Sequence, residues 1–192
     1  MRRMAFSYGC LMVGLPQALT EEVKGYAATI PAWYLKKTED ATTGIPDEIH
    51  ITVKYGLITE SSDEVGEAIA GTEPIMVTLG RAGVFHNEDQ NVLRLAVESP
   101  GLRALHNRVC KKLRNVNPYR DFRPHVTIAY MVPREEDPYY YRAFYSDRFE
   151  GRKFLVDQAK YSSASGNKSI VSFGGEAFPI AASRSAALRR CR

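Results

Sequence analysis

Two short phrases hold the residue types that could do chemistry: His50-Ile51-Thr52-Val53-Lys54-Tyr55 and His125-Val126-Thr127-Ile128-Ala129-Tyr130. Both read His, β-branched, Thr, β-branched, any residue, Tyr. The alternation of polar and apolar positions is that of a half-buried strand. On a strand, His50 and Thr52 share one face and Ile51 and Val53 the other; His125 and Thr127 are likewise set against Val126 and Ile128. If the two strands lie side by side, two imidazoles and two hydroxyls converge. Imidazole titrates near neutrality, so one ring can take the proton of an attacking oxygen while the other protonates the leaving oxygen. A threonine beside each histidine can donate to charged phosphoryl oxygens. The chemistry expected is acid–base cleavage at a phosphate, with each histidine an equal candidate for base and for acid. It requires no metal and no cofactor, and no carboxylate cluster with metal-binding spacing stands near either phrase.

One His-x-Thr arises often by chance. Two copies with matching flanks, each on a predicted strand, are far more specific. His86 and His106 do not repeat the phrase: His86 is expected in a hairpin turn, and His106 on the solvent side of a helix. Three further residues are candidates for substrate binding. Tyr8 lies on the first strand and could face the cleft or be an ordinary strand aromatic. Lys54 has the parity of His50 and Thr52, and could reach a phosphate or meet solvent. Arg123 has the parity of His125 and precedes Pro124; its guanidinium can bind two oxygens at once. Tyr55 and Tyr130 fall on the opposite face by strand parity, if no bulge intervenes, and read as core. Tyr139, Tyr140 and Tyr141, with Phe144 and Tyr145, form either a flap that stacks on bases or a loop packed by its own aromatics. The basic side of the helix from Arg103 to Arg114 reads as a solvated face.

The elements that must position these residues follow from periodicity and punctuation. Strands are predicted over Phe6–Leu15, Ile49–Leu57, Pro74–Phe85, Val92–Val97, His125–Tyr130, Lys153–Tyr161 and Ser169–Phe173, with a further short one near Trp33–Leu35. Helices are predicted from an N-cap at Thr20 to about Ile30, from a cap at Ser62 or Asp63 to Ala70, and from Ser99-Pro100 through Leu113. This order implies an α+β fold with mainly antiparallel strands.

The 192 residues suit a single domain over 1–180, followed by a basic tail over 181–192 that is expected to be disordered. A hydrophobic fraction of 44% and a charged fraction of 25% are ordinary for a globular chain, and no apolar run is long enough to span a membrane. The net charge of +4 is compatible with an anionic substrate. Cys10, Cys110 and Cys191 are an odd number without metal-ligand spacing, so reduced thiols and a cytoplasmic location are expected.

With its two His-x-Thr motifs, His50/Thr52 and His125/Thr127, and the Pro124-His125 entry to the second, the chain resembles the 2H phosphoesterase superfamily, the LigT-like group. The resemblance implies two pseudo-symmetric lobes of antiparallel sheet, helices outside, around a central cleft to which each lobe gives one motif strand. It implies a metal-independent phosphodiesterase whose partner is a nucleotide or RNA substrate: a cyclic oligonucleotide, a 2′,3′-cyclic phosphate or a 2′-5′ linkage. Gly44-Ile45-Pro46 and the phrase from His50 to Gly56 resemble the phage branch, the anti-CBASS nucleases that degrade cyclic nucleotide signals. The alternative is a module that sequesters the same ligands without cutting them. The oligomeric state is left open.

Overall fold

The computed structural model describes residues 8–38, 41–116, 121–133 and 144–180. Wherever the sequence alternates, the chain extends, and the apolar residues of successive strands turn to one side. The strands are β1 (Gly9–Gly14), β2 (His50–Leu57), β3 (Ile75–Phe85), β4 (Asn91–Glu98), β5 (His125–Met131), β6 (Lys153–Val156), β7 (Gln158–Ser162), β8 (Lys168–Ser172) and β9 (Ala177–Pro179). They form one sheet in the order β6-β3-β4-β5-β2-β1-β7-β8-β9, with every described pairing antiparallel. Three helices, α1 (Gln17–Ala27), α2 (Ser62–Ile69) and α3 (Pro100–Lys112), complete the α+β architecture.

The helices bury narrow apolar stripes: Leu19 and Val23 of α1, Val65 and Ile69 of α2, Leu102, Leu105 and Val109 of α3. These join Leu11, Val13, Ile51, Leu93, Leu95, Val126 and Ile128 in one core. Each such side chain, fully buried, stabilises the fold by about 1.5–3 kcal/mol before entropy is counted. Helix α3 begins as its sequence requires, with Ser99 accepting from the Leu102 amide and Pro100 in the first turn. Helix α2 is capped by Ser61, one residue ahead of the expected Ser62.

Three expectations are corrected. Helix α1 starts at Gln17, directly after Pro16, and Thr20 sits inside it with its hydroxyl directed to the Leu15 carbonyl at 3.4 Å. Proline needs no amide partner and supplies the helical φ at a start, so the helix opens a turn before the threonine. Trp33–Leu35 is not a strand: Ala32–Tyr34 is a short 3-10 turn, followed by a single bridge from Leu35 to Met131. The predicted strand Lys153–Tyr161 is two strands, joined by Asp157 alone. Its first part pairs with β3 and its second with β1. One residue spans at most about 7 Å between its neighbours' Cα atoms. The sheet therefore curls until its first and seventh strands meet end to end. The expected tail, 181–192, lies outside the described residues, and among these no helix is long and apolar enough to cross a membrane.

Candidate active site

The two motif strands are neighbours. Ile51 stands opposite Val126 at the middle of the sheet. Antiparallel counting from that pair sets His50 across from Thr127 and Thr52 across from His125. Directly opposed Cβ atoms lie about 4.5–5.5 Å apart and diagonal ones about 7–8 Å. The two histidines are diagonal neighbours, a spacing that one phosphoryl group can bridge. Ile51 and Val126 are fully buried beneath them, while all four motif residues are half-buried on the open face.

Both rings are pinned in the same way. His50 Nδ1 lies 3.1 Å from the carbonyl of Glu48, and His125 Nδ1 lies 2.8 Å from the carbonyl of Arg123. A carbonyl only accepts, so Nδ1 carries the hydrogen in each ring and Nε2 is left for the proton that chemistry moves. Burial pushes both imidazoles below their ordinary 6.5, against the opposing pull of these carbonyl bonds. Their charged neighbours differ. His50 faces the Glu48 carboxylate, itself flanked by Lys160 and Lys168. His125 faces Arg94, which disfavours its cationic form.

A bulge follows each threonine. On β2, Met12 pairs with Thr52 but Leu11 with Lys54, so Val53 is an extra residue. On β5, Arg94 pairs with Thr127 but Leu93 with Ala129, so Ile128 is extra. An inserted residue flips the parity of everything beyond it. Tyr55 and Tyr130 are thereby returned to the histidine face, the reverse of the parity expectation. Tyr55 stands opposite Cys10, which itself hydrogen-bonds Thr52 and is pushed up to about 11 by burial. The same bulge turns Lys54 away. Its side chain is 3% exposed and its ammonium donates to the Val116 carbonyl at 2.8 Å, beneath the sheet beside His106. Lys54 is therefore not among the residues the fold brings to the cleft. Without a bulge its parity would have placed it there, and nothing in the phrase marks the insertion.

Tyr8 rests edge-on against Tyr55, with centroids 6.1 Å apart, and so borders the site through that ring. Arg123 is exposed and pairs loosely with Asp121 at 3.6 Å; its described contact with the motif is its carbonyl. His106 is not solvent-facing. Its Nδ1 bonds the Val53 carbonyl at 2.7 Å, holding the bulge, and its ring stacks on Phe122 at 4.2 Å. Tyr139, Tyr140 and Tyr141 lie outside the described residues. Phe144 is buried against Tyr34, and Tyr145 is exposed.

The fold adds neighbours the sequence did not single out. Beside His50, a cavity of about 180 Å³ is lined by Met12, Gly14, Glu48, His50, Lys160 and Ile170 among others. Beside His125, Phe85 packs edge-on at 5.0 Å, and the Arg94 guanidinium lies 4.5 Å from the same Phe85 ring. The signal for Arg94 was present but faint: a cation set between Leu93 and Leu95 in a strand. Among the described residues, no group of three His, Cys, Asp or Glu is arranged to hold a metal ion.

Comparison with known proteins agrees with this geometry. Residues 40–166 match the sequence profile of the 2′-5′ RNA ligase superfamily. No curated protein sequence matches the chain. Among solved structures, the fold is similar to that of E. coli LigT complexed with 3′-AMP, at a TM-score of 0.59 and 16% identity over 92% of this chain and 99% of that one. It is similar to the Thermus thermophilus protein TT0787, at 0.56 and 16% over 90% and 97%. It is also similar to Kluyveromyces marxianus Usb1, at 0.52 and 12% over 92% and 99%.

Proposed function

The chain belongs to the 2′-5′ RNA ligase superfamily, the 2H phosphoesterases, and from that premise we propose that it is a metal-independent phosphodiesterase acting on a nucleotide or RNA. One observation carries the reading: two His-x-Thr pairs meet across a single strand seam, each ring pinned at Nδ1. The base accepts the proton of the attacking hydroxyl at Nε2 as the new P–O bond forms. The acid gives its Nε2 proton to the leaving oxygen as the old P–O bond breaks. Thr52 and Thr127 hold the non-bridging oxygens. A substrate with a free 2′-hydroxyl beside its 3′-phosphodiester supplies its own nucleophile and yields a 2′,3′-cyclic phosphate; a 2′,3′-cyclic phosphate is opened by water.

The charged neighbours favour His125 as the base and His50 as the acid. Arg94 favours the neutral form of His125, while around His50 the Glu48 carboxylate favours the cationic form and Lys160 and Lys168 each oppose it more weakly. Because burial holds both rings below 6.5, the kcat/KM profile is expected to peak below pH 6.5. The base loses activity as pH falls through its lowered pKa, and the acid loses it as pH rises through its own. A profile of kcat/KM from about pH 4.5 to about pH 9 checks this; an optimum above about pH 7.5 contradicts it.

The substrate classes within this reading are cyclic oligonucleotides, as for an anti-CBASS nuclease, 2′,3′-cyclic phosphates and 2′-5′ linkages. The 3′-AMP bound by E. coli LigT shares with these classes a phosphate on the ribose, though as a monoester. The test is an incubation in EDTA with 3′,3′-cyclic dinucleotides, a cyclic trinucleotide, 2′,3′-cyclic AMP and a 2′-5′ oligoadenylate, beside the His50→Ala/His125→Ala protein. We expect cleavage of at least one class by the wild type only. Tight binding of uncut ligand, with no cleavage of any class, would instead establish a sequestering module.

A further inference from the structure

Arg94 sits on the histidine face of β4, directly opposite Thr127. Its other cross-strand neighbour is Gly83 of β3. A Cβ at position 83 would lie 3.8 Å from Arg94 Cζ and Nη2, at ordinary contact distance, so the guanidinium lies over β3 at Gly83. There it packs against the Phe85 ring, which also meets His125 edge-on. One aromatic ring thus braces both the guanidinium and an imidazole of the motif.

The charge of Arg94 is not balanced by its surroundings. Its Nε is buried and has no hydrogen-bond partner among the described residues. None of the described ion pairs includes it. Its titratable neighbours there are Arg123, a second cation, and the neutral phenol of Tyr145. Burying a donor without an acceptor is costly, and a half-buried cation without an anion more so. A guanidinium packed on Phe85, with its Nε unpartnered among the described residues and Thr127 beside it, is suited to an anion that arrives with the ligand.

We propose that Arg94 is a catalytic residue that donates from its guanidinium to a non-bridging oxygen of the phosphoryl group held between His50 and His125. The proposal rests on the phosphodiesterase reading for its catalytic part and on geometry alone for the phosphoryl contact. The guanidinium supplies positive charge where negative charge grows as phosphorus gains its fifth oxygen. Phe85 fixes its distance from His125, so the base and the charge donor act on one phosphoryl group in a set relation.

The test uses Arg94→Ala, Arg94→Gln and Arg94→Lys in the full chain, with a urea midpoint recorded for each. Gln keeps part of the stem on Phe85 and serves if Ala does not fold. The first readout is steady-state kinetics on a substrate that the wild type cleaves. Arg94→Ala is expected to lower kcat by about 10²–10³-fold with a smaller change in KM. Lys should recover part of the loss, and added guanidinium should partly restore the Ala variant, which a merely structural role would not allow. The second readout is inorganic phosphate binding, followed through the histidine ring resonances by NMR. Wild type should bind phosphate, and Arg94→Ala should weaken it by about tenfold or more. Wild-type kcat in folded Arg94→Ala, or phosphate affinity indifferent to Arg94, overturns the proposal. Arg94-dependent phosphate binding in a protein that cleaves nothing leaves the phosphoryl contact standing and overturns the phosphodiesterase reading instead.

Discussion

Replacing His125 with alanine is expected to lower turnover by about 10²–10⁴-fold, the range a positioned proton-transfer group contributes. Replacing His50 should do the same. The double replacement should be little worse than either single one, because a base and an acid that act in the same step fail together. The fold should tolerate the losses. Both side chains are half-buried on the open face, and the core beneath them is made by Ile51 and Val126. Each substitution removes one hydrogen bond to a carbonyl, net about 0.5–1.5 kcal/mol, and at His125 also the edge-on contact with Phe85, about 0.5–1.5 kcal/mol more. Urea midpoints beside single-turnover rates separate the two effects. Retention of more than about a tenth of wild-type turnover by either single variant would remove that histidine from the chemistry.

Gly56→Ala is expected to be strongly destabilising although it lies outside the motifs. Gly56 has φ +98° and follows Tyr55 in β2. A Cβ there would stand 2.5 Å from the Val116 carbonyl oxygen and 2.9 Å from Val116 Cγ2. The left-handed backbone alone costs a non-glycine residue about 1–2 kcal/mol. The displaced carbonyl is also the acceptor for the buried Lys54 ammonium, and a bond to a charged group contributes about 1.5–3 kcal/mol. A loss of about 2.5–5 kcal/mol in urea unfolding is expected from these two terms. A loss below about 1 kcal/mol would mean that the Asn115–Val116 segment yields without releasing Lys54. Turnover should fall as well, because the segment that carries Tyr55 into the cleft is held from the same side.

The motif strands were legible because their signal is local: residue type and a period of two, repeated once. The four motif residues lie together as that pattern implies. What escaped was whatever depends on pairing. The bulges after Thr52 and Thr127 exist only relative to β1 and β4, and they reversed the facing of Tyr55, Tyr130 and Lys54. The break at Asp157 is similar. Lys153 to Tyr161 alternates well enough for one strand, but its halves find partners at different places in a curled sheet. His106 escaped for another reason: a helix face reads as solvated until a bulged carbonyl, here that of Val53, is brought beside it.

An antiparallel pair centred on Ile51 and Val126 has a local two-fold axis through its middle. Rotation about that axis exchanges His50 with His125 and Thr52 with Thr127. A five-coordinate phosphorus on the axis would have its entering and departing oxygens exchanged by the same rotation. To the motifs alone, bond making and bond breaking are one event viewed from opposite ends. Direction must be supplied by what the rotation does not reproduce: Glu48 and Lys160 on one side, Arg94 and Phe85 on the other. The repeated phrases provide the reaction, and the unrepeated neighbours provide its sense.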